Sequence, residues 1–226
     1  MIYGYGMEKF LTKDRLEKYL LFTNNDINKS LKLYELNVEI SESLYTLLSY
    51  FEIFLRNFCN EKLMKEINEN WFDSKILKGN NENKSQKTIE EIEKTKSKIV
   101  KYKEEKKIFN YIPTNADIVS NLEFGFWSNL FCANYENTIW APYLKQIFIG
   151  FTRKELFKII DTIRKLRNRV FHYEPIIFDK NLIDKYNDIV AMICFISNQE
   201  ICDYIENKSR FKELYKILKN SGAPLN

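Results

Sequence analysis

The chain has 226 residues, 45% of them hydrophobic and 15% aromatic, which is enough apolar surface for a core and excludes a disordered polymer. A net charge of only +4 means that overall electrostatics do not announce a nucleic-acid binder, so any such role must rest on local charge. Six Gly and four Pro, sparsely placed, favour long uninterrupted helices over a many-turned sheet protein.

Residues 1–8 lack the basic-then-apolar layout of a signal peptide. No apolar run approaches the roughly 20 residues that span a bilayer. A soluble cytoplasmic protein with no membrane contact is predicted. Cys59, Cys132, Cys194 and Cys202 show no CxxC spacing and have no second histidine to join them, so neither a zinc site nor a disulfide framework is expected. Four reduced, mostly buried thiols are the expectation, with no metal and no cofactor.

In chain order, residues 8–23 carry Phe10, Leu11, Leu16, Tyr19, Leu20 and Phe22 among charges and suit an amphipathic helix. Asn24-Asn25-Asp26 offers a break and a new N-cap. From Ile27 to about Ile67 no Gly or Pro intervenes, and Val38, Leu44, Leu47, Leu48, Phe51, Phe54, Leu55 and Phe58 recur mostly at helical spacing. A long helix with a deeply buried second half is predicted. Residues 73–87 read as the clearest polar loop, mobile, its lysines either solvated or touching a polyanion. Residues 88–107 read as a charged helix with Ile89, Ile92, Ile99 and Val100 on its apolar face.

Pro113 with Thr114 or Asn115 starts an element over 116–132, in which a mid-helix Gly125 suggests close approach by another helix. Phe124, Phe126 and Trp127 read as core rather than as a base-stacking platform. Pro142 marks a boundary. A helix then runs from about Thr152 to Phe171 or His172, with Leu156, Ile159, Ile160, Ile163, Leu166 and Val170 inward, and Pro175 stops it by disfavouring helical geometry at Glu174. Residues 181–206 and 208–219 continue the helical periodicity. No strand-like alternation persists, so the fold class is all-α.

His172 is the only histidine. A proton transfer near neutral pH therefore falls to it, to a perturbed carboxylate or thiol, or to the N-terminal amine. Around it, residues 152–172 hold seven basic residues, Arg153, Lys154, Lys158, Arg164, Lys165, Arg167 and Arg169, against Glu155 and Asp161. Such a face either is simply solvated or tracks phosphates. Arg167 and His172 also fit a helix-end ion-pair cluster, and Glu52 with Arg56, at i and i+4, fits an intrahelical salt bridge.

The spacing Arg167-x4-His172 at a helix end resembles the motif of the HEPN ribonuclease superfamily. Three stretches around it resemble the Abi-like (abortive infection) family of bacterial proteins. These are residues 166–176, Leu-Arg-Asn-Arg-Val-Phe-His-Tyr-Glu-Pro-Ile; Phe124-Gly125-Phe126-Trp127 with Leu130, Phe131 and Trp140; and residues 34–42 with Glu52-x-x-Leu55-Arg56-Asn57. Tyr173 stands where many relatives carry a second histidine.

The resemblance covers roughly residues 10–205 and implies one HEPN-type helical bundle over 1–226, with long N-terminal helices and a helical insertion. It implies a phage-defence protein that cuts RNA without a metal, with two chains paired so that their Arg-x4-His motifs share a composite cleft. The AbiF branch is similar to the nuclease domains of RNA-targeting CRISPR effectors, and some of its members work with a structured non-coding RNA.

On that implication, attack of the 2′-hydroxyl on the adjacent phosphorus needs a base, an acid for the 5′-oxygen and positive charge for the transition state. His172 suits base or acid. Arg167 suits the phosphate, and Asn168 either orients the imidazole or contacts a phosphate oxygen. Glu174 either holds His172 or pairs with Arg169. Glu52, Arg56 and Asn57 stand as supporting residues, and Arg153, Lys154, Arg164 and Lys165 as the RNA-tracking face. An RNA-binding protein that assembles with a non-coding RNA without cutting is the alternative. Five helical residues turn through about 500°, so Arg167 and His172 diverge by about 140° in projection. They meet only if the helix loosens near Pro175 or if two chains combine.

Overall fold

The computed structural model describes residues 6–73 and 75–222. The reading of the chain's start at residues 1–5, and Ser74 of the predicted loop, lie outside the described residues. Among those described there is no strand, and the protein is all-α. The helices are α1 (Lys13–Phe22), α2 (Ile27–Glu66), α3 (Glu82–Glu105), α4 (Asn115–Asn121), α5 (Phe124–Asn129), α6 (Arg153–Phe171), α7 (Leu182–Ile196), α8 (Gln199–Lys208) and α9 (Phe211–Asn220). No helix among the described residues is long and apolar enough to cross a membrane.

The chain folds as two compact units, one of the residues up to Tyr50 together with those from Lys165, the other of Phe51–Arg164. Helices α2 and α6 each contribute to both.

α2 starts where Asp26 caps it, its carboxylate accepting from the Lys29 amide at 3.0 Å. The preceding Asn24 and Asn25 take left-handed backbone angles, φ 52° and 64°, which Asn tolerates better than most residues. Along α2 the stripe Leu36, Ile40, Leu44, Leu47, Phe51, Leu55, Cys59 and Leu63 is buried at three- and four-residue steps, so burial is not confined to the second half. Val38 falls off that stripe and is 48% exposed, against its predicted inward place.

In the first unit α1 begins at Lys13 rather than near residue 8, with the Thr12 hydroxyl accepting from the Arg15 amide at 3.3 Å. Tyr186, Phe211 and Tyr215 stack where α7 meets α9, with centroids 4.3 and 5.7 Å apart. Between α7 and α8, Ser197 and Asn198 reverse the chain. This brings Cys194 and Cys202 to a Cα separation of 4.9 Å, and they form a disulfide, correcting the expectation of four free thiols. A spacing of eight across a helix turn matches no recognisable motif, which is why the sequence did not expose it. Cys59 is a free thiol, buried, and burial pushes its pKa up.

In the second unit the predicted loop is largely structured. Residues 75–77 form a single 3-10 turn and 82–87 are the opening turns of α3, where the Asn81 side chain accepts from the Lys84 amide at 3.0 Å. The buried face of α3 is Ser85, Thr88, Ile92, Thr95 and Ile99, so small polar residues replace part of the expected isoleucine stripe. Thr88 accounts for this, since its hydroxyl lies 2.8 Å from that of buried Tyr135. Helix α5 opens at Phe124, so Gly125 lies in a first turn. A Cβ added there would meet nothing within 4 Å, and close packing is not its reason. Phe124, Phe126 and Trp127 are buried, as expected of core. Pro142 does not end an element but sits inside a π-helical stretch, Glu136–Leu144, closed by a 2.8 Å bond from the Lys145 amide to the Trp140 carbonyl.

α4 begins with a capping box missed in the sequence. The Asp117 carboxylate accepts from the Tyr111 hydroxyl at 2.6 Å and from the Thr114 hydroxyl and amide at 2.7 and 2.9 Å. These bonds, Tyr111 first, hold its pKa at about 2. Because the folded value lies below the ordinary 3.8, the stability it lends is present above about pH 4 and lost as pH falls through 2. Asp117→Asn is therefore expected to cost about 1 kcal/mol at pH 7. That gap should narrow at pH 3, as urea titrations at the two values would show.

Candidate active site

The motif forms the end of α6 in the first unit. The Thr152 hydroxyl and the Glu155 carboxylate box the helix N-terminus, the hydroxyl donating at 2.6 Å. Inward positions Leu156, Ile160, Ile163, Leu166 and Val170 are buried, with Ile159 half-buried.

At the other end the His172 amide still donates to the Asn168 carbonyl at 2.9 Å, so helical geometry persists through His172. Tyr173 then takes φ 58°, its amide bonding the Val170 carbonyl at 3.1 Å and the Glu174 amide the Arg169 carbonyl at 2.9 Å. That pair of bonds is a Schellman cap with Tyr173 at the left-handed position, followed by Pro175. The helix does not loosen before His172, and the divergence of about 140° between Arg167 and His172 is retained.

The Arg167 guanidinium lies over the Phe171 ring, 4.0 Å from its centroid, and reaches the Asn168 side-chain oxygen at 3.4 Å. Phe171 also stacks on Tyr45 of α2, with centroids 4.8 Å apart at 23°. His172 is exposed. Of the two roles open to Glu174, pairing with Arg169 is the one observed, at 3.2 Å. Arg169 also binds the Pro175 carbonyl and Asp179, and Asp179 in turn binds Lys185. Burial works to raise the Asp179 pKa, but Lys185, the Asn181 amide and Arg169 outweigh it and hold the carboxylate below its ordinary range. Arg169 is thus a brace that ties the segment after the helix to α7.

The strongest anchor of that segment is Asn37, almost wholly buried on α2. Its side-chain oxygen accepts from the Ile176 and Ile177 amides at 2.8 and 3.3 Å, and its NH₂ donates to the Glu174 carbonyl at 3.3 Å. In the sequence Asn37 stands out only as part of the family-like stretch 34–42. Its signal is a polar residue at a position where the helical stripe would place an apolar one.

Beside the motif, a cleft of about 420 Å³ opens between α2 and the end of α6. Tyr34, Tyr45, Tyr173 and Val170 form its apolar walls, with Ser41 and Glu42 among them. Among the described residues the buried Ser41 hydroxyl has no hydrogen-bond partner.

Other predicted residues belong to the second unit. Glu52, Arg56 and Asn57 lie on α2 beyond Tyr50, where Arg56 donates to the Asn57 side chain at 3.3 Å and both line a cleft with Asn60 and Asn115. Arg153 pairs with Glu136 and donates to the Phe131 carbonyl at 2.9 Å. Arg164 pairs with Asp161 at 2.6 Å, and Lys154 is exposed. Both arginines of the expected phosphate-tracking face therefore have partners within their own unit. Lys165, exposed, opens the first unit's part of α6.

Neither a search of curated proteins nor one of solved structures found a match. A family model described as Abi-like protein matches residues 2–178, which takes in α1 to α6, the whole Arg167–His172 turn and the Asn37 anchor. The chain belongs to the Abi-like protein family.

Proposed function

We propose that the chain is a HEPN-type, metal-independent endoribonuclease acting in abortive infection against phage. Membership of the Abi-like family is the ground for the phage-defence setting. The observation that carries the chemistry is the turn Arg167–His172, with a guanidinium over the Phe171 ring and the chain's sole imidazole exposed at the capped helix end.

A guanidinium offers a fixed positive charge and a planar fork of donors suited to a phosphate. An imidazole takes the 2′-hydroxyl proton as that oxygen bonds to phosphorus, and the P–O5′ bond breaks as a second acid protonates the leaving oxygen. The products are a 2′,3′-cyclic phosphate and a 5′-hydroxyl. Regular helix through His172 favours the composite arrangement, in which two chains related by a two-fold axis each supply one motif, so that the second imidazole is the partner's.

Wild-type protein incubated with RNA in EDTA is expected to leave 2′,3′-cyclic phosphate ends, and a strand with 2′-deoxy residues throughout should remain intact. Cleavage of the deoxy strand would refute the mechanism. A discrete RNA copurifying with protein that never turns over would point to the non-cutting, RNA-assembled alternative.

A further inference from the structure

Tyr173 sits where fold stability would prefer another residue. The left-handed position of a Schellman cap favours glycine, and a non-glycine side chain there carries strain that persists where the site uses it. The ring is not repaid by burial, being 71% exposed, yet it lines the cleft beside the motif. Tyr45 lines the same cleft, is also half in solvent at 52%, and is held in place by its stack on Phe171. Two exposed tyrosines bordering one cleft, next to the residues assigned to phosphate and proton transfer, match the way proteins hold unstacked RNA bases. The volume, about 420 Å³, is that of a small-molecule site.

The polar groups of the cleft select among bases. Glu42 brings a carboxylate, which only accepts hydrogen bonds when ionised. Guanine alone among the RNA bases places two adjacent donors, N1–H and N2–H, on its Watson–Crick edge, where a carboxylate receives both in parallel. Uracil presents one donor flanked by two carbonyl oxygens that a carboxylate repels.

We infer that the cleft lined by Tyr45 and Tyr173 is a nucleobase subsite selective for guanine, with Glu42 reading the Watson–Crick edge and the tyrosines offering the ring faces on which the base stacks. The inference rests on the ribonuclease reading above and extends it to substrate choice.

The test uses 2′-O-methyl uridine tetramers carrying one guanine, adenine, cytosine or no replacement, labelled for fluorescence anisotropy with the full-length chain. These cannot be cleaved, so binding is read apart from catalysis. The guanine tetramer is expected to bind about tenfold tighter than the all-uridine one. Tyr173→Gly, which the cap geometry welcomes, should remove that gain, and Tyr173→Phe should keep it. Glu42→Gln should abolish the preference for guanine over adenine while leaving purines ahead of uridine. Equal binding of all four tetramers, or a guanine preference intact in Tyr173→Gly, overturns the inference. Cleavage to cyclic phosphate ends without guanine selectivity strikes this inference alone. Guanine selectivity without any cleavage strikes the ribonuclease reading alone.

Discussion

His172→Ala is expected to lower RNA cleavage by roughly 10²–10⁴-fold, the range that a positioned acid or base contributes. The fold should survive. His172 is exposed, its amide bond to Asn168 is made by the backbone, and the cap around Tyr173 uses backbone groups only. Surface changes of this kind shift stability by no more than about 0.5 kcal/mol, so the melting temperature of the variant should match wild type. On the proposed ribonuclease reading Arg167→Ala should lose comparable activity, since it removes the charge that reading assigns to the phosphate and uncovers Phe171.

The two variants together test the composite site. In the composite cleft proposed above, a mixed dimer of the two inactive proteins holds one guanidinium and one imidazole from opposite chains, whereas each pure variant lacks one kind of group altogether. Mixing should then restore a measurable fraction of wild-type cleavage. Cleavage by His172→Ala at the wild-type rate would remove the histidine from the mechanism. A mixture as inactive as its components would show that a guanidinium and an imidazole from opposite chains do not complement one another.

The helices were legible because their signals are local. Asp26 and Thr152 cap α2 and α6 where the sequence places them, and Pro175 follows the end of α6. Signals that depend on a distant partner were not legible. Ser85 looked like a loop residue, and Thr88 stood outside the expected apolar face of its helix, until Asn134 and Tyr135 supplied their amide and hydroxyl partners. Pro142 looked like a boundary because proline lacks the amide donor that an interior helical position uses, yet it lies inside a π-helical stretch. Cys194 and Cys202 meet only because Ser197 and Asn198 reverse the chain between two helices.

At the site the division is the same. Arg167 and His172 are singled out by the family resemblance, and the alternative roles of Glu174 by its neighbours in the sequence. The choice of Arg169 as partner to Glu174, with Asp179 beyond it, needed the fold. The tyrosine cleft was invisible because Tyr45 and Tyr173 are 128 residues apart in a sequence rich in tyrosine.

Asn37→Leu is expected to be the most destabilising single change near the site. Asn37 is buried, and one side chain satisfies three main-chain groups of the segment that follows the motif. Leucine keeps the approximate volume but leaves the Ile176 and Ile177 amides and the Glu174 carbonyl without that partner. A buried backbone group stranded in this way costs about 1–3 kcal/mol. With partial relaxation the total falls near 2–5 kcal/mol, a large share of the 5–15 kcal/mol typical of a folded domain. For a chain of this size that corresponds to a fall in melting temperature of roughly 5–15 °C.

The loss should also be local before it is global. Once the tie to α2 is cut, residues 174–177 are held mainly by the Arg169 and Asp179 ion pairs and the burial of Ile176 and Ile177. Hydrogen exchange at the Ile176 and Ile177 amides should accelerate more than at Leu166 or Ile163, deep in the same helix face. Tyr173 and His172 sit at the mouth of that segment, so cleavage should fall as well. A control separates the two effects. Asp179→Asn weakens the ion pairs and leaves the Asn37 bonds in place, so it should cost less stability and leave the Ile176 and Ile177 amides protected. If Asn37→Leu melts with wild type and keeps both amides protected, then the burial of the two isoleucines alone holds the segment, and Asn37 is not its anchor.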